Sequence, residues 1–236
     1  MKPPFARIGG KRLLAGKIID LFPKNYEEMI YVEPFVGAGN IYFRKEPSKK
    51  EIINDLDSVI YKVLKLLKNQ STFVNNNIQR NITRSHWNKI KNSNDALSLL
   101  EKIKMSYFSN SRSFDTGKEG KTIKTDFSVF GDRLKDTKLL NQDYESVIKT
   151  YDSPNTFFYL DPPYEQSETK VGEKYASDFN INDLKDVLDK IQGKFLLSFN
   201  YSKNISDLFK KYKQKVVTTT YVFDNRKVKE ILIYNY

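Results

Sequence analysis

The feature that most constrains this chain is a buried-strand pattern that ends at Asp161 and is followed at once by two prolines. Residues 157–160 read Phe-Phe-Tyr-Leu, an apolar and aromatic run of strand-like composition. Pro162 and Pro163 lack a backbone N–H and fix φ, so neither a sheet nor a helix continues through them. The strand therefore delivers the Asp161 carboxylate, the Pro162 carbonyl and the Tyr164 ring to the carboxyl edge of a sheet, where open α/β folds bind ligands.

These groups suit an exocyclic amine on a flat heterocycle. Asp161 and the Pro162 carbonyl offer acceptors for the two N–H hydrogens of the amine, and Tyr164 offers a face for stacking. A strand-ending turn with a helix N-cap remains the alternative, because the tetrapeptide alone does not exclude it.

Charge points to a polyanionic partner. The 236 residues carry 40 Lys+Arg and 29 Asp+Glu, a net charge of +11. Nucleic acid fits this excess better than a membrane surface, because no basic amphipathic helix stands out, although a merely soluble basic protein remains possible on charge alone. The length suits one α/β domain, or a core domain with an inserted subdomain.

Cysteine is absent from the chain. Disulfides, thiolate metal sites and cysteine nucleophiles are therefore excluded, and so is methylation of cytosine carbon 5 by covalent thiolate attack. No signal peptide and no run of transmembrane length is recognisable. We expect a cytoplasmic protein with no membrane partner.

A glycine pair near the N-terminus precedes two basic residues at the start of a helical pattern. Gly9-Gly10 permits a tight turn, and Lys11 and Arg12 follow in the first helical turn. Cations in that place oppose the helix dipole, so a nearby anion would offset their cost. A solvated basic face is the alternative interpretation.

Two further strand ends carry candidate binding residues. After the strand pattern Ile30-Tyr31-Val32, Gly37 and Gly39 let backbone pass close to a ligand, and a helix is expected to begin at Ile41. The next strand ends before Asp55, which is placed to accept hydrogen bonds from ribose hydroxyls. Asp55 or Asp57 capping the following helix is the alternative.

Strand and helix patterns alternate over most of the chain. Further strands are expected near residues 195–199, 216–223 and 228–234, the last two as a hairpin. This order predicts an α/β fold with a mostly parallel sheet that ends in an antiparallel hairpin. No internal repeat is present.

Residues from about 69 to 139 differ in character from the rest. They are rich in Asn, Ser, Lys and Arg, with a mainly helical pattern and a polar loop near residues 109–121. Such side chains suit phosphate contact and base-edge contact, while an ordinary solvated helical insert is the alternative. No ligand cluster surrounds the one histidine, so no metal is expected. The candidate DNA-binding residues are Arg84, Lys89, Arg112, Lys118 and Lys121.

The order of motifs resembles the Dam-like class of adenine-specific DNA methyltransferases. The series is Ile8-Gly9-Gly10-Lys11, then residues 33–39 (Glu-Pro-Phe-Val-Gly-Ala-Gly), then Asn54-Asp55, a basic insert and residues 161–164 (Asp-Pro-Pro-Tyr). The resemblance implies a Rossmann-like S-adenosylmethionine-dependent methyltransferase fold. It places the catalytic domain at residues 1–68 and 140–236 and an inserted, mainly helical target-recognition subdomain at residues 69–139.

The resemblance also implies roles for residues at the expected sheet edge. Asp161, Pro162 and Tyr164 become the catalytic group, which holds a flipped-out adenine while the methyl group moves directly to its 6-amino nitrogen. Double-stranded DNA and S-adenosylmethionine are the implied partners, with a monomer that a cognate restriction enzyme accompanies in some systems. The implied cofactor-binding residues are Arg7, Lys11, Phe35, Gly37, Gly39, Asp55, Tyr144 and Asp161.

The sequence departs from that class just before the glycine pair. Ala6 and Arg7 stand where the class has a basic and then an aromatic residue, so a guanidinium replaces an aromatic face near the cofactor. The recognised DNA sequence cannot be derived from the insert. Three alternatives remain open: methylation of the 4-amino group of cytosine, RNA as the substrate, and a catalytically silent DNA-binding homologue.

Overall fold

A seven-stranded sheet organises the residues that the computed structural model describes, namely 1–7, 9–163, 179–220 and 226–236. Its strand order is β3-β2-β1-β4-β5-β7-β6. Strands β1 to β5 run parallel to one another, whereas β7 runs antiparallel to both β5 and β6. The α/β class and the closing hairpin are thus confirmed. The strands are β1 (Ile30–Glu33), β2 (Lys50–Asn54), β3 (Lys138–Leu140), β4 (Thr156–Leu160), β5 (Lys194–Asn200), β6 (Lys213–Thr220) and β7 (Lys227–Tyr234).

Strand β4 is central and buried on both faces. Phe157 and Tyr159 contribute to one hydrophobic cluster, while Phe158 and Leu160 contribute to the cluster on the opposite face. All four side chains are fully buried, and each buried aromatic or leucine side chain stabilises the fold by about 1.5–3 kcal/mol. A continuous apolar run is what a parallel strand covered on both sides requires.

Helices cover both faces of the sheet. Those of the first face precede β3 in the chain, and those of the second face follow β3. Asp57 begins the longest of them, because its side chain accepts a hydrogen bond from the Val59 N–H at 2.9 Å. The helices are α1 (Ala15–Ile19), α2 (Ser58–Asn77), α3 (Arg84–Ile90), α4 (Ala96–Met105), α5 (Ser128–Leu134), α6 (Tyr144–Tyr151), α7 (Ile181–Leu188) and α8 (Lys203–Leu208).

The insert is built on α2 rather than beside the sheet. Helices α4 and α5 pack against α2, and residues 80–82 pair with residues 120–123 through backbone hydrogen bonds. The boundary expected after residue 68 falls inside α2, and the boundary at residue 139 falls inside β3. One continuous hydrophobic cluster joins α2 to the insert, so the division into two domains stays a prediction.

The prediction that a helix begins at Ile41 is wrong. Residues 36–44 form consecutive hydrogen-bonded turns, such as Gly39 N–H to Val36 O at 2.7 Å and Phe43 N–H to Gly39 O at 3.0 Å. Gly39 adopts a φ of 74°, and a Cβ there would lie 2.7 Å from the Phe43 ring. The left-handed backbone and the close aromatic contact thus favour a compact turn over a regular helix.

No helix in the described part of the chain is long and apolar enough to cross a membrane.

Candidate active site

Parallel strands β1, β2 and β4 bring their carboxyl ends to one edge, at the point where the strand order reverses. The chain runs outward from β1 to β2 and β3 and then returns to β4 on the other side of β1. A crevice outside such a reversal is the usual ligand site of an open α/β sheet. The motif residues that the sequence singled out lie at this edge.

Asn54, the last residue of β2, joins three of the loops at this edge. Its side-chain N–H groups donate to the carbonyl oxygens of Pro34 and Gln142, each at 2.9 Å. Its side-chain oxygen Oδ1 accepts the Gln142 backbone N–H at 2.9 Å. With every polar atom of a buried amide satisfied, the loops after β1, β2 and β3 are held in register. The sequence marked Asn54 only as part of a motif.

Asp55 holds the glycine loop that follows β1. One carboxylate oxygen accepts the Gly37 N–H at 2.7 Å, and the other accepts the Asp57 N–H at 2.9 Å. Asp57, and not Asp55, caps α2, which separates the two alternatives left open by the sequence. Burial raises the pKa of Asp55, and the nearby Arg7 opposes this effect. Each carboxylate oxygen can accept a second hydrogen bond, so Asp55 retains capacity for hydroxyl donors.

An aromatic wall lies beside this loop. The rings of Phe35 and Tyr144 are 5.3 Å apart at an angle of 35°, and both contact Phe179 at 6.2 and 6.0 Å. Phe35 and Tyr144 are half-buried, so part of each ring remains accessible to a planar ligand. Phe35 and Tyr144 were candidates from the sequence, whereas Phe179 was missed because it follows a polar stretch without a motif.

Asp161 lies directly after β4 and has one oxygen held by protein. Its Oδ1 accepts from Lys11 Nζ at 2.8 Å and from the Ser198 hydroxyl at 3.2 Å. Its Oδ2 makes no hydrogen bond or ion pair with any described residue, and the side chain is 19% exposed. One acceptor oxygen at this sheet edge is therefore not used by the described residues. Pro162 is buried next to it, while Tyr164 lies outside the described residues.

Lys11 is buried between two carboxylates. Its ammonium lies 2.8 Å from Asp161 and 3.5 Å from Glu230 of β7, and the residue is 4% exposed. Burial alone would lower the pKa of Lys11, but the two carboxylates outweigh it and hold the pKa above its usual value. Glu230 was not a candidate from the sequence. The only signal was one acid at the start of the apolar run Ile231–Ile233, and pairing with β5 is what turns it to this edge.

Arg7 lies over the glycine loop. Its Nη2 pairs with Asp57 at 3.0 Å, and its Cδ is 3.8 Å from where a Cβ of Gly37 would be. Its Nη1 is buried and has no hydrogen-bond partner among the described residues. A buried donor without a partner is costly, which favours a ligand with an acceptor at this point.

The candidate DNA-binding residues lie in the insert, away from the sheet edge, and most are exposed. Arg84, Lys89, Arg112 and Lys121 reach solvent, and the Arg84 guanidinium stacks on Phe114 at 4.3 Å. Lys118 instead donates to the Ser106 carbonyl at 2.6 Å and lies 3.7 Å from Asp115. Lys118 thereby stabilises the loop at residues 106–115 from within.

The arrangement at the sheet edge fits a nucleoside cofactor. The aromatic wall suits an adenine ring, and Asp55 suits ribose hydroxyls. Gly37 and Gly39 have positive φ angles (52° and 74°), which favour glycine, so the loop carries no side chain at these two positions. Within the described ranges, no group of three or more Asp, Glu or His side chains is arranged to hold a metal ion.

Comparison with known proteins finds similar sequences and structures. The sequence matches the D12 class N6 adenine-specific DNA methyltransferase family over residues 8–115 and 98–223. It is 26% identical to the type II methyltransferase M1.LlaDCHI of Lactococcus lactis subsp. cremoris, over 99% of this chain and 95% of that protein. It is 27% identical to the type II methyltransferase M.MjaIII of Methanocaldococcus jannaschii, over 100% of this chain and 99% of that protein. Among solved structures, an rRNA methylase from Streptococcus thermophilus superimposes with a TM-score of 0.41 and 11% identity, over 95% of each chain.

The fold and the site define a Rossmann-like methyltransferase that depends on S-adenosylmethionine. Within that class, the chain belongs to the D12 class of N6 adenine-specific DNA methyltransferases. The family resemblance stated from the motifs is therefore confirmed. The family match also decides between adenine and cytosine, the two bases with an amino group that were considered, in favour of adenine in DNA. Together with the two named methyltransferases, it favours an enzyme over a silent homologue.

Proposed function

We propose that this protein methylates the 6-amino group of an adenine that has left the DNA base stack, by direct transfer at Asp161. The observation that carries the proposal is the divided role of the Asp161 carboxylate. Lys11 and Ser198 fix Oδ1, while Oδ2 has no partner among the described residues. A base inside a duplex cannot reach this recessed oxygen, so the adenine must rotate out of the stack.

Asp161 and Pro162 orient the amine in the proposed reaction. Oδ2 and the Pro162 carbonyl accept the two N–H hydrogens, which directs the nitrogen lone pair away from both acceptors. S-adenosylmethionine, when bound, supplies an electrophilic methyl group on a sulfonium sulfur. The amine nitrogen held by Asp161 and Pro162 would take this methyl group, the electron pair of the broken S–C bond would leave with the thioether product, and the proton lost by the methylated amine would pass to water. Positioning supplies most of the rate increase, because no covalent intermediate with the protein is needed.

The cofactor would be held by residues of the glycine loop and the aromatic wall. Phe35 and Tyr144 would contact the adenine ring, Asp55 the ribose hydroxyls, and Gly37 and Gly39 the adjoining chain. Arg7 and Lys11 would complete the site. Support comes from the free aromatic surface, the spare acceptor capacity of Asp55 and the partnerless Nη1 of Arg7.

DNA would be recognised by the insert. Arg84, Lys89, Arg112, Lys118 and Lys121 are the proposed contacts, with Lys118 acting mainly through the loop that it braces. We further propose a monomeric enzyme in the cytoplasm, with a restriction enzyme of the same site as its biological counterpart. The two relatives named type II methyltransferases support that last point.

Transfer of labelled methyl groups tests the proposal. Wild-type protein, S-adenosylmethionine and unmethylated plasmid DNA are incubated, and the DNA is digested to nucleosides for mass spectrometry. We expect N6-methyl-2′-deoxyadenosine from the wild type and at least a 10³-fold loss with Asp161→Ala, because the amine loses its positioning acceptor. Asp132→Ala, an exposed acid on α5, is the matched control and should leave the rate unchanged. Methylated cytosine, or no product from folded wild type, would contradict the proposal.

A further inference from the structure

A cavity of about 420 Å³ opens beside the candidate active site. Its walls come from four parts of the chain: the N-terminal residues 2–14, the turns after β1 at Asn40 and Arg44, the insert at residues 104–109, and the end of β6 at residues 219–220. Lys11 and Glu230 line it as well. Lys11 links the cavity to the candidate active site, because its ammonium lies 2.8 Å from the Asp161 carboxylate.

The lining of this cavity is strongly basic. Among the described residues that line it, six are basic and one, Glu230, is acidic. Arg7 and Lys11 have carboxylate partners, whereas Arg12 and Arg44 have none within the described part of the chain. Lys104 is bound to neutral oxygens only, the Pro4 carbonyl and the Thr125 hydroxyl, each at 3.0 Å. An excess of cations around a concave site concentrates anions there.

Arg12 and Arg44 are the two cations best placed for an external anion. Asn40 holds Arg44, since both the carbonyl oxygen and the side-chain oxygen of Asn40 accept from Nη1 at 2.9 Å. Arg12 is exposed and lies two residues after the glycine pair. The pKa of Arg44 is lowered by burial and, in addition, by repulsion from Arg12. Two neighbouring guanidinium groups without a carboxylate between them are unfavourable until an anion binds both.

We propose that Arg12 and Arg44 together bind the DNA backbone phosphate next to the target adenine. This inference rests on the proposed function, because it takes the cavity as the place where the target nucleotide enters. A phosphate diester has two non-bridging oxygens that share one negative charge, and each of them can accept hydrogen bonds from a guanidinium group. The contact positions the backbone beside Asp161 and carries no sequence information, since phosphate contacts set register while base contacts specify.

DNA fits the two arginines better than the cofactor does. Arg7 and Lys11 of the proposed cofactor site line the cavity, but Phe35, Asp55 and Tyr144, which would hold the adenine ring and the ribose, do not, and the insert contributes Phe108 and Ser109. The carboxylate of S-adenosylmethionine is nonetheless an anion of similar chemistry. The test must therefore separate a DNA phosphate from a cofactor carboxylate.

The first measurement compares DNA binding by the wild type and by Arg12→Ala/Arg44→Ala at several salt concentrations. We expect about a tenfold loss of affinity per arginine, and a salt slope lower by about 1 for each phosphate contact removed. Lys17→Ala/Lys24→Ala removes the same charge from exposed positions outside the cavity and should behave like the wild type. Arg12→Lys/Arg44→Lys, which keeps both charges, should recover most of the affinity. Thermal unfolding of each variant shows that the fold is retained.

The second measurement locates the phosphate. The methylated adenine is first mapped on plasmid DNA, and duplexes are then made with a neutral methylphosphonate at each phosphate flanking it. One of these duplexes should slow methylation by the wild type about tenfold and should not slow Arg12→Ala/Arg44→Ala any further. Additive losses from the protein change and the DNA change at every position would overturn the inference.

Calorimetry of S-adenosylmethionine binding separates the two anions. The Kd for the cofactor should be unchanged in Arg12→Ala/Arg44→Ala. A tenfold weaker cofactor with unchanged DNA binding would assign the arginines to the cofactor carboxylate and overturn the inference. If Arg12→Ala/Arg44→Ala weakens the binding of a single-stranded RNA of the same sequence as much as it weakens the binding of the DNA duplex, the assignment of DNA as the ligand is overturned. If the wild type transfers no methyl group at all, the proposed function fails, whereas the salt slope still tests the two arginines.

Discussion

Two buried lysines lie toward opposite ends of the central sheet, and their surroundings differ. Lys11 is at the carboxyl end of β4 and Lys45 is toward the amino end of β2, and each is 4% exposed. Lys11 lies between Asp161 and Glu230, and these carboxylates hold its pKa above the usual value against the effect of burial. Burial lowers the pKa of Lys45 to about 8, despite Glu51 at 2.5 Å.

The difference lies in how each cluster balances its charge. Around Lys45, the carboxylate of Glu51 is shared with Arg133, and the ammonium lies 4.0 Å from the centre of the Tyr31 ring. That cluster is closed by protein groups. Around Lys11, two carboxylates face one ammonium, and the cluster lines a cavity. A buried ion cluster that leaves an acceptor open toward a cavity indicates function, whereas a closed one indicates structure.

Replacing Lys11 gives the largest expected effect. Lys11→Met leaves Asp161 and Glu230 without their shared cation, so the Asp161 carboxylate loses its fixed position. We expect methyl transfer per folded molecule to fall on the order of 10²-fold or more, since small displacements of a positioned group cost that much. Lys62→Met, at an exposed position on α2, is the control. Unchanged turnover in Lys11→Met would show that the cluster around Lys11 has no role in methyl transfer.

Replacing Lys45 should affect stability instead. Lys45→Met removes one partner of the buried Glu51, and breaking such a pair costs about 3 kcal/mol of the free energy of unfolding. Denaturant unfolding measures this loss, and methyl transfer normalised to folded protein should match the wild type. A large loss of normalised turnover with intact stability would show that the two clusters are not separate in role.

The pH dependence of stability sharpens the comparison through Glu33, which is near both Lys45 and Asp161. Burial raises the pKa of Glu33 from its ordinary 4.5 to about 8, and Tyr31 donates a hydrogen bond to it at 2.6 Å. Between these pH values the folded state keeps a proton that the unfolded state has lost, so the free energy of unfolding falls as pH rises from about 5 to about 8.

Glu33→Gln should flatten this dependence. The amide cannot ionise and can still accept the Tyr31 hydroxyl, so the loss on the order of 2 kcal/mol between pH 5 and pH 8 should disappear. Urea unfolding at pH 5, 6.5 and 8 measures it, with Glu28→Gln, an exposed acid, as the control. Equal slopes in the wild type and in Glu33→Gln would show that Glu33 is ionised across this range.

The smallest expected effect concerns Glu230. Glu230→Gln leaves Lys11 paired with Asp161 alone, which tightens that pair and draws the carboxylate away from the amine. We expect kcat to fall about tenfold, with little change in KM for DNA or in stability. Asp207→Asn, on exposed helix α8, should change neither. A change in KM alone would place Glu230 in DNA binding rather than in positioning Lys11.

Much of the fold was predictable because its signals are local. The apolar run of β4 stops at Pro162, and the hairpin of β6 and β7 follows from alternating patterns near the C-terminus. The prediction of a helix at Ile41 was wrong because local sequence pattern does not reveal how this loop folds. The close contact of Gly39 with the Phe43 ring depends on how the loop folds back on itself.

By itself, the sequence determined the α/β class, the sheet edge at which Asp161 lies and the family of the protein, because each rests on residues close together in the chain. Only the tertiary structure decided which groups meet there. Glu230 reaches Lys11 across more than two hundred residues because β7 pairs antiparallel with β5. Arg12 and Arg44 become neighbours because the turns after β1 fold onto the N-terminal segment. Contacts of this kind depend on strand pairing and on packing across the sheet, which no local pattern of side chains encodes.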